Sequence, residues 1–214
     1  MAALKKENVF INCPYDAAYD LTLRPIVFTV RFLGFTPRMA KESADSGAMR
    51  IHRIVNLIKC SRYAIHDLSR VRAHRKGEHF RMNMPFELGL DIGCRVFGPM
   101  LFKTKKCLVL EKEKYSLQAA LSDLSNSDVC SHNDEPELAV RHVRNWLVQE
   151  GHADGPSGTA IWYAFNDFMA DNDARLKARG FRKADIASLP LPEFLKNMTQ
   201  WIKRHIQQEG RAYR

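Results

Sequence analysis

The sequence predicts an α/β fold: a doubly wound parallel sheet of about five strands with a C-terminal helical appendage. Two observations carry this. From residue 8 to about 150, short β-branched or aromatic runs alternate with stretches of helical period, the pattern of a parallel sheet with helices on both faces. The segment Gly151–Gly158, GHADGPSG, then breaks that order, as a linker of Gly, Pro and Ser does. Residues 8–150 therefore form the α/β domain, and residues 157–214 form a helical C-terminal extension.

Each element has a local reason. Val9–Cys13 is a buried first strand, stopped at Pro14. Asp16 is placed to cap the first helix. In that helix Leu21, Ile26, Val27, Val30 and Leu33 recur at helical spacing; Pro25 interrupts it and Gly34 ends it. Phe35–Ala40 is a second strand, and Pro37 puts it at a sheet edge. Lys41–Gly47 is a loop, and Met49–Ile58 a helix. Tyr63–Leu68 is a third strand, running into a turn at Asp67–Ser69. Arg70–Arg81 is a long basic loop. Pro85–Val96 is a helix with Leu88, Ile92 and Val96 on one face. Lys106–Leu110 is a strand, Ser116–Leu124 a short helix, Asp128–His132 a short strand and Pro136–Gln149 an amphipathic helix. Beyond the break, Ile161–Lys177 and Pro192–Gln208 read as helices, docked on the main domain because so small a piece seldom folds alone.

The bulk numbers restrict the chemistry. Lys and Arg number 33 against 24 acids, a formal charge of +9, which favours anionic partners such as nucleotides. Nucleic acid is the weaker reading, because neither aromatic-basic interleaving nor a helix-turn-helix signature is present. The five cysteines, Cys13, Cys60, Cys94, Cys107 and Cys130, show no paired spacing and read as reduced thiols of a cytoplasmic protein. The histidines have no ligand spacing, so no metal site is expected. The longest mostly apolar stretch, Ile26–Leu33, is too short to span a bilayer; no membrane association is expected.

In an open α/β sheet, ligands sit outside the carboxyl ends of the strands. Here those ends are Cys13-Pro14-Tyr15-Asp16 and Asp67-Leu68-Ser69, with Asn83 and Glu87 on the helix after the basic loop. Pro85 suits a first helical turn, Asn83 an N-cap. Glu87, read as a first-turn acid, would feel the helix dipole and favour its ionised form. The competing reading is a solvated acid that merely complements the dipole.

Three segments together resemble the superfamily that joins nucleoside 2-deoxyribosyltransferases with TIR domains. They are V-F-I-N-C-P-Y-D at Val9–Asp16, A-I-H-D-L-S at Ala64–Ser69, and N-M-P-F-E-L-G at Asn83–Gly89, similar to the N-x-x-[FY]-E-[LI]-G signature. Bacterial TIR-like proteins carrying this helix look most similar. The resemblance covers about residues 8–150. It implies a flavodoxin-like fold and a glutamate, Glu87, that attacks or stabilises the anomeric carbon while an N-glycosidic bond breaks. Asp67 matches the aspartate after the third strand, Asn83 the positioning asparagine, and Tyr15 an aromatic covering base or sugar. Cys13, Pro14, Ser69, Pro85 and Phe86 complete the implied substrate site. TIR enzymes act on NAD, often in antiviral defence and often as assemblies, so a homo-oligomer is implied. Deoxyribosyltransferases usually carry a further acid shortly before the catalytic glutamate, whereas Arg81–Phe86 contains none.

That departure selects a substrate. A neutral base needs a proton as it leaves, hence a second acid; the nicotinamide of NAD is cationic and leaves neutral. Arg70, Arg72, Arg75, Lys76 and Arg81 would meet the pyrophosphate, their competing reading being a solvated surface loop. The expectation is an NAD nucleosidase or related N-glycosidase that takes NAD as substrate and needs no cofactor. The alternatives are a non-catalytic nucleotide-binding or protein-interaction module and a nucleoside deoxyribosyltransferase. Elsewhere, Cys13 reads as a buried thiol rather than a nucleophile, His66 as a core histidine, and Trp146, Trp162 and Trp201 as core packing.

Overall fold

The computed structural model describes residues 3–71, 81–116, 121 and 128–212. Five strands form one sheet: β1 (Lys5–Asn12), β2 (Thr36–Arg38), β3 (Ser61–Asp67), β4 (Lys106–Glu111) and β5 (Val129–Ser131). Their order is β2-β1-β3-β4-β5, and every pairing is parallel. This is the doubly wound, flavodoxin-like arrangement the sequence predicts. Val9 pairs with Tyr63 and Ile11 with Ile65 across β1 and β3; Ile65 pairs with Leu108 across β3 and β4. Pro37 lies in the three-residue edge strand, where its missing N–H costs the sheet nothing.

Seven helices accompany the described strands: α1 (Asp20–Phe32), α2 (Arg50–Cys60), α3 (Asn83–Phe97), α4 (Pro136–Gly151), α5 (Gly158–Ala178), α6 (Lys183–Ala187) and α7 (Leu191–Ala212). Pro25 is accommodated inside α1, where Thr29 Oγ1 donates to the Pro25 carbonyl at 2.8 Å. Gly34, at φ +86°, ends it, with Phe35 N–H returning to the Val30 carbonyl at 3.0 Å. That geometry closes orphan carbonyls and needs a residue at ease with positive φ. Asp16 acts ahead of α1, accepting from Tyr19 N–H at 2.9 Å. The helix expected at Ser116–Leu124 falls, apart from Ser116 and Leu121, outside the described residues. The five-residue α6 is too short to leave a periodic signal in the sequence.

Strand alternation sorts the core. Val9, Ile11, Tyr63, Ile65, Leu108 and Leu110 face α1 and α4, while Phe10, Ala64 and Val109 face α2 and α3. The first core does not stop at α1 and α4. Ile161, Phe165 and Phe168 of α5, and Phe194, Met198 and Trp201 of α7, are buried in the same cluster. The C-terminal helices thus form an added layer over α1. At the start of α5 a Cβ on Gly158 would lie 3.0 Å from the Arg141 Cα of α4, so the two helices cross in tight contact there. No helix among the described residues is long and apolar enough to cross a membrane.

Candidate functional site

The chain runs outward from β1 to the edge strand β2, then returns to β3 on the other side of β1. The reversal falls at the carboxyl ends of β1 and β3, where this topology places ligands. The segment after β1 carries Cys13–Asp16, and the turn after β3 carries Leu68–Arg70. Helix α3 is pinned above the seam: Asn12 Nδ2, at the end of β1, donates to the Met84 carbonyl at 2.9 Å.

This anchoring brings Glu87 inward. Its side chain is only 6% exposed and makes no hydrogen bond to another described residue. Burial pushes its carboxyl up from 4.5 to about 7, against the opposing pull of the Arg50 guanidinium. Two expectations are corrected here. The N-cap of α3 is Met82, without a side-chain cap bond, and Asn83 is the exposed first helical residue. Glu87 therefore falls in the second turn, beyond the first-turn dipole site expected for it, and desolvation outweighs any dipole help to the ionised form.

Burial holds the Cys13 thiol and the Tyr15 hydroxyl well above their ordinary values, and the Glu87 charge adds to the rise of both. Cys13 is buried and its thiol is held well above its ordinary value, consistent with an inert core thiol. Tyr15 is covered by cations: Lys41 Nζ lies 4.6 Å and Arg50 Cζ 5.9 Å from its ring centroid, within cation–π range. Neither cation forms an ion pair with a described acid. Sequence reading missed both, because they lie in a short 3-10 turn (Ala40–Glu42) after an edge strand and at the start of α2, and no local pattern ties them to Tyr15.

Asp67 has a different environment from Glu87. It is fully buried and accepts from Tyr19 Oη at 2.5 Å, His132 Nε2 at 3.0 Å and Ser69 N–H at 2.9 Å. His132 Nδ1 accepts from Asp134 N–H at 3.1 Å, so the ring proton sits on Nε2 and donates to Asp67. Three donors satisfy the carboxylate and tie together the segments following β1, β3 and β5. Tyr19 and His132 carry no sequence signal for this role; they lie 48 and 65 residues from Asp67 in the chain.

On the opposite face, as strand alternation demands, His66 is buried. Asn12 donates to its Nδ1 at 3.0 Å, and its Nε2 contacts Asp91 at 3.2 Å. Asp91 also meets Lys105 Nζ at 3.0 Å. Burial tends to raise the Asp91 carboxyl, but the His66 and Lys105 contacts outweigh it and hold it below its ordinary value.

The remaining expected residues divide. Pro14 is buried, Pro85 half-buried in the first turn of α3, and Phe86 is 58% exposed, directed away from Glu87's interior position. Ser69 Oγ and Arg70 Nε are buried with no hydrogen-bond partner at the carboxyl edge of the sheet. Arg81 is committed to Asp16, at 2.5 Å. Arg72, Arg75 and Lys76 lie outside the described residues. Among the described residues there is no group of three or more His, Cys, Asp or Glu side chains that could hold a metal ion.

A concavity borders the post-β1 segment at Tyr15. A cavity of about 250 Å³ lies between α1 and the α6–α7 connection, and Tyr15 and Lys41 form part of its wall. No protein-family model, curated protein or solved structure matches the chain.

Proposed function

We propose that this chain cleaves the N-glycosidic bond of NAD or a related nucleotide, with Glu87 as the catalytic carboxylate. The observation that carries the reading is a buried carboxyl, raised to about 7 and unengaged by described hydrogen-bond donors, at the β1–β3 reversal. A buried carboxyl with a perturbed pKa in a topological crevice is a functional-site candidate on physical grounds. Glu87 meets that description; Asp67, saturated by three donors, does not.

The chemistry follows from a single free carboxylate. The bond between C1′ and the nicotinamide nitrogen breaks, and its electron pair leaves with the ring, which becomes neutral. Ionised Glu87 bonds to, or balances, the cationic C1′. Water then supplies hydroxide to C1′ and releases a proton. No acid is needed for departure. Tyr15 covers the sugar, Lys41 and Arg50 face the phosphates, and Ser69 and Arg70 offer unused donors. A role in antiviral defence and self-assembly belongs to the same proposal, through the resemblance to TIR-like proteins.

The test is nicotinamide release from NAD by the purified chain and by Glu87→Gln, with deoxynucleosides as parallel substrates, over a range of protein concentrations. Release by the wild type alone supports the reading. Silence from a folded wild type at every concentration points instead to a nucleotide-binding or partner-gated module, and base exchange on deoxynucleosides to a transferase.

A further inference from the structure

The cavity beside Tyr15 has the walls of a ring-binding site. Leu23 and Val27 of α1, Leu189, and Leu191 and Phe194 of α7 supply its apolar surface. Its polar groups are few and of complementary kinds. Arg24 lies over the Phe194 ring at 5.2 Å and pairs with Asp20 at 3.4 Å. Lys41 is exposed, unpaired among the described acids, and shared with the Tyr15 ring. Ser188 adds a hydroxyl at the rim.

Apolar walls with a few converging polar groups describe a small-molecule site. Flat aromatic surfaces suit a planar base, Asp20 can accept from an exocyclic amine, and Lys41 with Arg24 can meet a phosphate. At about 250 Å³ the cavity falls just below the usual ligand pocket of roughly 300–1,000 Å³. It suits one nucleoside monophosphate unit and excludes a whole dinucleotide.

Tyr15 lines this cavity and belongs to the same post-β1 segment at the β1–β3 reversal that α3 and Glu87 overlie, and Lys41 and Arg50 lie over its ring. We infer that the cavity holds the second, amino-bearing nucleoside monophosphate half of a dinucleotide whose scissile sugar lies at Glu87. The pyrophosphate then crosses Tyr15 beneath Lys41 and Arg50, and the C-terminal helices supply one wall of the substrate site. This rests on the dinucleotide reading above but has a separate readout, equilibrium binding of one half of the ligand.

The experiment titrates AMP and adenosine into the full chain by calorimetry. Ala187→Trp and Ser188→Trp fill the rim from exposed positions outside the core, and two variants guard against misfolding of either; unchanged circular dichroism and melting qualify them. Wild type is expected to bind AMP, and a qualified Trp variant to lose at least tenfold in affinity. Lys41→Ala is expected to weaken AMP at least fivefold while leaving adenosine within twofold. No AMP binding by wild type at millimolar concentration, or wild-type affinity in the Trp variants, overturns the inference. AMP binding that the rim variants abolish, with no nicotinamide release by wild type, keeps the cavity and removes the catalytic reading. Nicotinamide release with an unchanged KM in the rim variants does the reverse.

Discussion

At the scale of single residues, Glu87 and Asp67 show how two nearby carboxyls acquire different tasks from their surroundings. Asp67 is buried with three donors and Glu87 with none among the described residues. The folded protein therefore holds a proton on Glu87 that the unfolded chain has lost by neutral pH. A carboxyl whose folded pKa is raised binds more protons folded than unfolded, so stability falls as pH rises from about 4.5 through about 7. The loss is on the order of 2–3 kcal/mol. Glu87→Gln removes it. That variant is expected to match wild type near pH 4.5 and to melt roughly 5 °C higher at pH 8. Melting curves at the two pH values check this, and an unchanged gap between them would refute the burial argument. Activity runs the other way. If ionised Glu87 is the working form, kcat/KM for nicotinamide release rises with pH and levels off above about 7. A profile that falls across that interval would make Glu87 a proton donor and favour neutral nucleosides as substrates.

At the scale of elements, the strands and helices were legible wherever burial imposes a period. The apolar runs of β1, β3 and β4 and the one-sided faces of α2, α3 and α4 emerge within a few residues of their expected bounds. The candidate site was legible only where one segment carries it, as with the placement of Glu87 on α3 and of Tyr15 after β1. The Asp67 partners are distant in the chain, and the Glu87 pKa depends on how deeply α3 is drawn down, which no helical pattern records. What draws α3 down is polar. Asn12 holds its first turn, and Asp91 binds it to His66 and Lys105 one turn beyond Glu87. Lys105 also donates to the carbonyls of Ile58 and Ser61 where α2 ends. Lys105→Met strands the Asp91 charge in the interior, a loss of about 3–5 kcal/mol. Adding Asp91→Asn removes the stranded charge and keeps an acceptor for His66. The double variant is therefore expected to recover at least half of that loss in urea denaturation. A double variant as unstable as Lys105→Met alone would show that the ion pair is not what holds α3.

At the scale of the whole molecule, the chain does not divide energetically at the Gly-, Pro- and Ser-containing segment before α5. Phe28 of α1, fully buried, has its ring 5.6 Å from Phe165, 5.7 Å from Phe168 and 5.9 Å from Trp201. Removing residues 157–214 would uncover that aromatic face of α1 along with neighbouring apolar surface of α4. Exposed patches of that kind drive association, so the truncated chain is expected to aggregate rather than form a stable monomer. The point substitution is more informative. Phe168→Ala, at a fully buried position in α5, is expected to cost about 3–5 kcal/mol. Because the core is continuous, the loss should lower one transition shared by all elements rather than release the last helices alone. Trp146, Trp162 and Trp201 report from α4, α5 and α7, and far-ultraviolet dichroism reports on the whole chain. Their urea curves should coincide in the wild type and shift together in Phe168→Ala. An early fluorescence transition that leaves most of the dichroism intact would mean that the C-terminal helices melt separately. The cavity wall they form beside Tyr15 would then open while the sheet and Glu87 remained folded.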